Sequence, residues 1–376
     1  MIKLLVAGDF CPRGRVEKHI SNGEYEHVLG EVKSYISSVD YSVVNLEAPV
    51  VEGNVKPIDK LGPSLKCSLS GIKAIKYAGF DMVTLANNHF YDYGEEGVKE
   101  TLTACNTYGI DTVGGGINVM EASRVVYRTI KGVIVSFINC CEHEFSIATE
   151  STSGANPLVP VLQYYAIKEA RKKSDIVMVI VHGGHEGCQL PSPRMKETYS
   201  FFIDCGADVV INHHQHCFSG YEIYKDRPIF YGTGNFCFDK LNGSDLSWSQ
   251  GYMVELTFSK EVSFKLIPYI QCYDEAKVTL MDTKRKEAFI TQINELNEII
   301  SDMPRLKEFH TQWMNRTTKG YELAFSPYSN KFLVALCSRG FLPKFLNKKR
   351  RLSLINYIEC EAHRERTIFM LKKLFR

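Results

Sequence analysis

Carboxylate, amide and imidazole side chains follow five short apolar runs of this sequence, each time at the point where the run ends. One such segment alone indicates little, because a strand-end Asp commonly caps a helix or lies in a solvated loop. Five together predict a metal centre, since hard oxygen and imidazole donors from separate elements are typical divalent-metal ligands. The segments are Gly8-Asp9, Asn45-Leu46-Glu47, Ala86-Asn87-Asn88-His89, His182-Gly183-Gly184-His185-Glu186 and Asn212-His213-His214-Gln215-His216.

The donors in these segments are numerous enough for two ions. Carboxylates supply negative charge and can bridge two cations, while Asn offers a carbonyl oxygen and His an imidazole nitrogen. Paired ions clamp the attacking and leaving oxygens of an in-line displacement, and they lower the pKa of a bound water towards neutrality. The residues therefore predict a hydrolytic centre with two divalent ions, for which Mn²⁺, Fe and Zn²⁺ are all suitable. The candidate ligands are Asp9, Glu47, Asn88, His182, His214 and His216.

The runs that carry these residues have the pattern of buried strands. Short Val- and Ile-rich runs bounded by turn residues are typical of strands buried on both faces. Strands are predicted over 2–7, 41–46, 81–85, 124–130, 133–138, 175–181, 207–211, 221–224 and 229–231. Helices are predicted between them, over 69–78, 94–108, 161–173 and 193–205. This alternation predicts an α/β sandwich, and such sheets bind ligands at the carboxyl ends of their strands.

The later part of the chain changes character. Residues 251–258 and 262–269 predict a hairpin that turns around Ser259-Lys260-Glu261. Apolar residues then recur at helical spacing over 284–300 and 350–375. We therefore predict a catalytic α/β domain over residues 1–275 and a C-terminal helical appendage with a basic end over residues 276–376.

Composition restricts the class of protein. The 376 residues are 44% hydrophobic and 23% charged, which excludes a mainly disordered chain, a collagen-like repeat and a coiled-coil rod. The net charge of +2 argues against a nucleic-acid partner. It averages an uneven distribution, because residues 339–376 hold 11 basic and 3 acidic side chains, a local charge of +8. This end of the chain is a candidate for contact with a membrane surface or a membrane-bound complex.

The cysteines and the apolar runs indicate a compartment. The 12 cysteines show no CxxC pair and no disulfide-type framework, as in reduced intracellular proteins. The short apolar run at the start ends in Asp9, unlike a signal peptide. No uninterrupted apolar run approaches the roughly 18 residues that span a bilayer. We expect a cytoplasmic protein, with peripheral membrane association through the basic end as an added hypothesis.

Taken in order, the motifs resemble those of the CapA family of poly-gamma-glutamate capsule biosynthesis proteins. This family is a branch of the calcineurin-like metallophosphatase superfamily, and the resemblance covers roughly residues 1–240. It implies a four-layer α/β/β/α sandwich with metal-dependent hydrolase activity. The resemblance rests on Gly8-Asp9, Asn45-Leu46-Glu47, Ala86-Asn87-Asn88-His89 with Asp92 and Gly94, His182-x-Gly184-x-Glu186, His214-x-His216 and Tyr231-Gly232-Thr233-Gly234-Asn235-Phe236.

The resemblance also implies individual roles. Asp9 and His216 match ligands of the first metal, and Glu47 matches the carboxylate that bridges both ions. His89 matches the residue that protonates or stabilises the leaving group, and Asp92 is placed to orient it. Matches to ligands of the second metal are Asn88, His182 and His214.

Other positions are candidates for substrate contact, or depart from the family pattern. Arg13 and Arg15 follow Asp9, and guanidinium groups suit phosphate or carboxylate anions; Glu186 and Asn235 are further candidates. Cys11 stands where the superfamily has His, so a thiolate ligand and a buried structural thiol are both open readings. The family usually has Trp, Gly and Pro at the positions of Gly183, Asn212 and Gln215.

Three functions follow from these residues. The main prediction is a phosphoesterase that acts on an anionic small molecule or polymer in capsule or exopolymer (poly-gamma-glutamate or polysaccharide) biosynthesis. A second hypothesis keeps the metals but changes the bond, so that an amide or ester of a polyglutamate-like polymer is cut or transferred. A third is a non-catalytic component of a polymer synthesis or export complex, with a structural metal site.

Overall fold

The computed structural model describes residues 1–240, 246–259 and 262–375, and the elements below are those of the described residues. The strands are β1 (Ile2–Cys11), β2 (Tyr41–Leu46), β3 (Met82–Thr84), β4 (Asp111–Val113), β5 (Gly115–Gly116), β6 (Val126–Ile130), β7 (Val133–Cys141), β8 (Gly154–Ala155), β9 (Ile176–His182), β10 (Val209–His213), β11 (Tyr221–Tyr224), β12 (Arg227–Phe230), β13 (Asn235–Phe238), β14 (Gln250–Phe258), β15 (Val262–Gln271) and β16 (Val278–Leu280). The helices are α1 (Arg15–Ser21), α2 (Tyr25–Ile36), α3 (Leu69–Ala78), α4 (Gly94–Thr107), α5 (Val119–Ala122), α6 (Pro160–Lys173), α7 (Pro193–Cys205), α8 (Leu246–Ser249), α9 (Thr283–Ser301), α10 (Met303–Ala324), α11 (Lys331–Ser338), α12 (Lys348–Glu359) and α13 (Glu361–Phe375).

Two mixed sheets carry the fold. The first runs in the order β16-β15-β14-β1-β2-β3-β4, and β13 also pairs with β1. The second runs in the order β11-β12-β10-β9-β7-β6. In each sheet the central strands are parallel, as in β1 with β2 and in β9 with β10. The carboxyl ends of parallel strands share one edge, which brings the polar segments of the sequence together.

Side chains of β1 point alternately to its two faces, and this alternation shows how the layers stack. Leu5 and Ala7 face a core lined by α1, α2, α3 and α4. Leu4 and Val6 point the other way, into a second core shared with the strands of the second sheet. Helices α6 and α7 contact the second sheet through β7, β9 and β10. Helices therefore lie outside both sheets, and the predicted four-layer α/β/β/α sandwich is confirmed.

The predicted strands and helices are present with small shifts at their ends. The hairpin of β14 and β15 is confirmed by its antiparallel register, while residues 260 and 261 of its predicted turn lie outside the described residues. Strand β1 extends beyond its predicted end at residue 7, because a register shift near Asp9 lets it continue alongside β13. The elements that were not predicted are helices α1, α2, α5, α8, α10 and α11 and strands β4, β5, β8, β13 and β16.

The chain divides into two compact units, Met1–Lys307 and Glu308–Arg376. The predicted boundary at residue 275 lies before α9, whereas the observed division lies after it. The reason is that Phe289 and Ile293 of α9 are buried in the core between the two sheets. Among the described residues, no helix combines the length and apolar character needed to cross a membrane.

Gly8 lets β1 pass close to the backbone of Gly234, where Asp9 N donates to Gly234 O at 3.3 Å. A Cβ at position 8 would lie 1.8 Å from that same oxygen. We therefore expect Gly8→Ala to lower the free energy of unfolding by about 1–3 kcal/mol, as overpacking does, in a urea titration.

A matched glycine gives the control for this prediction. Gly320 lies within α10 and a Cβ there would meet nothing within 4 Å. Gly320→Ala should stabilise by about 0.5–1 kcal/mol through helix propensity alone. An unchanged unfolding midpoint for Gly8→Ala would contradict the close approach of the two backbones.

Candidate metal centre

Asp9 lies at the end of β1, at a point where the strand pairing shifts register against both β2 and β13. Such bulges re-aim side chains next to active sites. The Asp9 carboxylate is buried; its Oδ1 accepts from Asn45 Nδ2 at 2.7 Å and its Oδ2 from the backbone N of His214 at 3.3 Å. These donors from β2 and from the segment after β10 hold the carboxylate between the two sheets.

Glu47 directly follows β2 and is fully buried. Both of its carboxylate oxygens lack a hydrogen-bond partner, an arrangement that is unfavourable for a charged group out of water. Its Oε1 lies 3.6 Å from His182 Nε2 and 3.7 Å from His216 Nε2. A cation between these atoms would satisfy the carboxylate, so the residues present fit a metal ion.

Two sets of ligand atoms share Glu47. In the first set Asp9, Glu47 and His216 have ligand atoms within 4.8 Å of one another, and in the second Glu47, His182 and His214 do. Asn88 Oδ1 and His214 Nδ1 each lie 3.0 Å from His182 Nε2, so Asn88 adjoins the second set. All six predicted ligands are thus brought together, with Glu47 in the position of a bridging carboxylate.

Two of the imidazoles stand on a strained backbone. His214 has φ 94° and His216 has φ 57°, values that are uncommon for residues other than glycine and that cluster at functional sites. The His216 ring donates from Nδ1 to Asn235 Oδ1 at 3.0 Å, and Asn235 Nδ2 donates back to His216 O at 3.0 Å. This leaves Nε2 of His216 for a cation, in the manner of outer-shell partners in metal sites.

Burial sets the charges of the cluster. Burial raises the pKa of Asp9, and it raises that of Glu47 well above the usual value, with the charge of Asp9 adding to the effect. Burial also lowers the pKa of His182 and His216, and that of His214 to about 3. Neutral imidazoles and crowded carboxylates are the forms that metal ions bind, and a bound ion would reverse the shifts of the carboxylates.

His89 and Asp92 form the pair expected from the sequence. The ring of His89 donates from Nδ1 to Asp92 Oδ2 at 2.7 Å, and the backbone N of Leu65 donates to the same oxygen at 2.7 Å. Lys60 Nζ lies 2.5 Å from Asp92 Oδ1, with only 3% of its side chain exposed. The Asp92 carboxylate is buried and charge-paired, so it can hold the His89 ring in one orientation.

The predicted substrate contacts are not all in place. Arg15 is committed to Asp239, with Nη2 2.8 Å from Oδ1, and to the Cys272 carbonyl. This pairing gives Arg15 a structural role, and its predicted anion contact stays a prediction. Asn235 is likewise occupied by His216. Arg13 lies over the Phe238 ring, 5.8 Å from its centroid, and its substrate role stays a prediction.

Glu186 is exposed, and its charge helps to raise the pKa of Glu47 and of Glu144. Cys11 is buried in the core between β1 and the helices, and it belongs to neither ligand set of the described residues. Burial and the charge of Glu47 hold its thiol pKa well above the usual value. Cys11 is therefore a thiol with an apolar environment.

Three site residues were not found from the sequence. Asn45 was named only as part of the Asn45-Leu46-Glu47 segment, without a role, and the structure shows that it orients Asp9. Lys60 lies between β2 and α3 in a stretch without a motif, so the sequence offered no signal. Glu144 lies beyond β7, in a sixth polar strand end, and its Oε2 is 3.4 Å from Asn88 Nδ2.

Together, the four layers and the buried carboxylate–imidazole cluster at the strand ends define a calcineurin-like metallophosphatase fold. Within that class, residues 3–240 match the model of the family described as bacterial capsule synthesis protein PGA_cap. The chain belongs to this family, and the resemblance to CapA proteins is confirmed.

Two curated relatives carry the CapA name. The capsule biosynthesis protein CapA of Bacillus anthracis is 32% identical over 247 residues, which cover 64% of this chain and 60% of the relative. The PGA biosynthesis protein CapA of Bacillus subtilis is 32% identical over 238 residues, covering 62% of each chain. The chain thus spans about six tenths of the length of these relatives. Among solved structures, a phosphatase from Mycoplasma pneumoniae is 16% identical with a TM-score of 0.42, covering 76% of this chain and 96% of its own.

Proposed function

We propose that this protein is a metal-dependent phosphoesterase that acts in the synthesis of a capsule or exopolymer. The observation that supports this most directly is Glu47, whose two buried oxygens have no hydrogen-bond partner and lie between two ligand sets. The biological setting comes from the family and from the names of the relatives.

The proposed ligands divide between two positions. Asp9, Glu47 and His216 would hold one divalent ion, and Glu47 with Asn88, His182 and His214 would hold the other. Bound ions of this kind supply an activated water and neutralise the charge that develops on phosphorus oxygens. Mn²⁺, Fe and Zn²⁺ are the candidates that this mixture of carboxylate and imidazole ligands suits.

His89 transfers the proton in this proposal. Its Nδ1 donates to Asp92, so Nε2 is the ring nitrogen that remains to pass a proton to the leaving oxygen. Lys60 and the backbone N of Leu65 keep the Asp92 carboxylate in place. The chain thereby fixes the ring position that general acid catalysis needs.

The test is hydrolysis of an aryl phosphate monoester and a phosphodiester by the metal-stripped protein, before and after Mn²⁺ is added. We expect Mn²⁺-dependent release of phosphate or alcohol. Activity on polyglutamate amide bonds without phosphoester hydrolysis would instead support the amide or ester reaction. Metal binding without turnover of any substrate would support a structural site within a synthesis complex.

We also propose that the C-terminal unit, Glu308–Arg376, docks on anionic lipid. Cys337 is the one buried residue in its described part, while large apolar side chains such as Phe341 (74%) and Leu374 (77%) are exposed. Unpartnered apolar surface of this extent marks an interaction site. The unit therefore needs a partner that covers apolar side chains.

Charge identifies the partner. Lys348, Lys349, Arg350 and Arg351 open α12, whose exposed Leu352, Ile355 and Ile358 follow at helical spacing. The local charge of +8 attracts an anionic surface, whereas a second copy of the unit would bring the same positive charge and repel it. Basic residues beside exposed apolar side chains are found in helices that lie in the membrane interface.

Vesicle binding of the full chain tests this docking. Replacing Lys348, Lys349, Arg350 and Arg351 by Gln should weaken co-sedimentation with phosphatidylglycerol-containing vesicles by at least about 100-fold, since each basic residue contributes about 1 kcal/mol. The control replaces the exposed Lys18, Lys73, Lys99 and Lys168 of the first unit by Gln and should bind as wild type does. Equal binding by both variants, or equal binding to purely zwitterionic vesicles, would contradict the proposal.

A further inference from the structure

Glu144 stands beside the second ligand set, although no motif pointed to it. It lies three residues beyond the end of β7, with 39% of its side chain exposed. Its Oε2 is 3.4 Å from Asn88 Nδ2 and its Oε1 is 3.9 Å from His214 Nε2. A carboxylate from a third region of the fold thus reaches two of the proposed ligands.

Ser146 ties the segment of Glu144 to the segment of Asn88. The buried Ser146 Oγ donates to the Asn88 carbonyl at 2.7 Å and accepts from the backbone N of Tyr91 at 3.0 Å. These bonds join the loop after β7 to the turn after β3. These bonds therefore hold the backbone of the Glu144 segment close to that of Asn88.

The amide of Asn88 can bind a cation in only one of its two orientations. Its Oδ1 is an acceptor and its Nδ2 is a donor, and a 180° flip exchanges them. Oδ1 now lies 3.0 Å from His182 Nε2, inside the ligand set, while Nδ2 points to Glu144. After a flip, Nδ2 would face the cation position and Oδ1 would face the Glu144 carboxylate, and both contacts would be repulsive.

We propose that Glu144 is a positioning residue of the second metal position: its carboxylate accepts from Asn88 Nδ2 and so keeps Asn88 Oδ1 directed at the cation. This inference rests on the proposed function, because it assumes that the cluster binds divalent ions. The hydrogen bond of Glu144 is made to a ligand of one ion position and not of the other, since Asp9 and His216 have no contact with Glu144 in the described structure. Outer-shell partners of this kind typically change metal affinity by about 10–100-fold.

Mn²⁺ titration of the metal-stripped full chain by calorimetry tests the inference without any activity measurement. Glu144→Ala should lower the Mn²⁺ affinity of one of the two sites by about 10–100-fold and leave the affinity of the other site unchanged. Glu144→Gln should lose less, because its amide oxygen can still accept from Asn88 Nδ2. The matched control is Glu142→Gln. Glu142 lies in the same loop, but its carboxylate pairs with Arg194 and not with Asn88.

A double-mutant cycle separates positioning from plain charge. In an Asn88→Ala background, Glu144→Ala should have no further effect on Mn²⁺ affinity. Equal losses for Glu144→Ala and Glu144→Gln, or the same loss with and without Asn88, would overturn the positioning role in favour of a general electrostatic effect. Wild-type affinity in Glu144→Ala would overturn the inference alone, whereas no Mn²⁺ binding by the wild-type protein would overturn the proposed function together with it.

Discussion

Glu47→Gln is expected to abolish paired metal binding and, in the same protein, to remove the loss of stability with rising pH that Glu47 gives the metal-free fold. Glu47 is the one residue common to both ligand sets of the described structure. Its replacement should therefore weaken both positions, by more than the roughly 100-fold that outer-shell changes reach. Mn²⁺ calorimetry on metal-stripped protein measures this loss, and Gln keeps the shape of the side chain.

The effect on stability follows from the raised pKa of Glu47. Burial and the neighbouring Asp9 charge lift this pKa well above the usual 4.5, so the folded metal-free protein holds a proton that the unfolded chain releases. Stability from this group is complete below the unfolded pKa and is lost as pH rises towards the folded pKa. The wild-type metal-free protein should thus lose stability as pH rises above 4.5, relative to Glu47→Gln.

The histidines oppose this trend and define the control. The pKa values of His182, His214 and His216 are lowered by burial, so their contribution is lost as pH falls, and it is common to both proteins. The difference in Tm between Glu47→Gln and wild type in the presence of a chelator therefore isolates the carboxylate. A Tm difference that is constant with pH would show that Glu47 does not have a raised pKa. Unchanged Mn²⁺ binding would show that Glu47 is not a metal ligand.

Much of this fold could be predicted because the strands are buried on both faces. Runs such as 176–181 are apolar at every position because both faces are buried, so they stand out from the amphipathic helices around them. The site followed from the same logic, since parallel strands deliver their end residues to one edge. Asp9, Glu47 and His214 therefore meet, although long stretches of sequence separate them.

The remaining site residues depend on contacts that no local pattern reveals. Arg15 follows Asp9 closely in sequence, yet its guanidinium pairs with Asp239 at the end of β13, a strand that was itself not predicted. Lys60 reaches Asp92 from an irregular segment whose path is set by backbone bonds such as Ile58 N to Asp92 O. Arg15 and Lys60 are of residue types that are common in solvated loops. Only the tertiary structure shows that both are paired with carboxylates.

His89→Ala is expected to lower kcat for phosphoester hydrolysis by about 10²–10⁴-fold, the usual contribution of a general acid, while Mn²⁺ affinity stays within about threefold of wild type. His89 is bound to Asp92 and belongs to neither ligand set, so its removal should leave both ion positions intact. His143→Ala is the matched control, because His143 is an exposed residue at another strand end.

Leaving groups of different basicity make this prediction specific to proton transfer. An aryl oxyanion with a low pKa departs without help, whereas an alkyl oxyanion needs the proton that His89 Nε2 supplies. The loss in His89→Ala should therefore be much larger for an alkyl phosphate ester than for a nitrophenyl ester, measured as kcat/KM on the Mn²⁺-loaded protein. Equal losses for the two esters would assign His89 a role in binding or orientation, and a parallel loss of Mn²⁺ affinity would make it a ligand. Full activity in His89→Ala would remove the mechanism, because the proposed proton transfer depends on the imidazole that Asp92 holds.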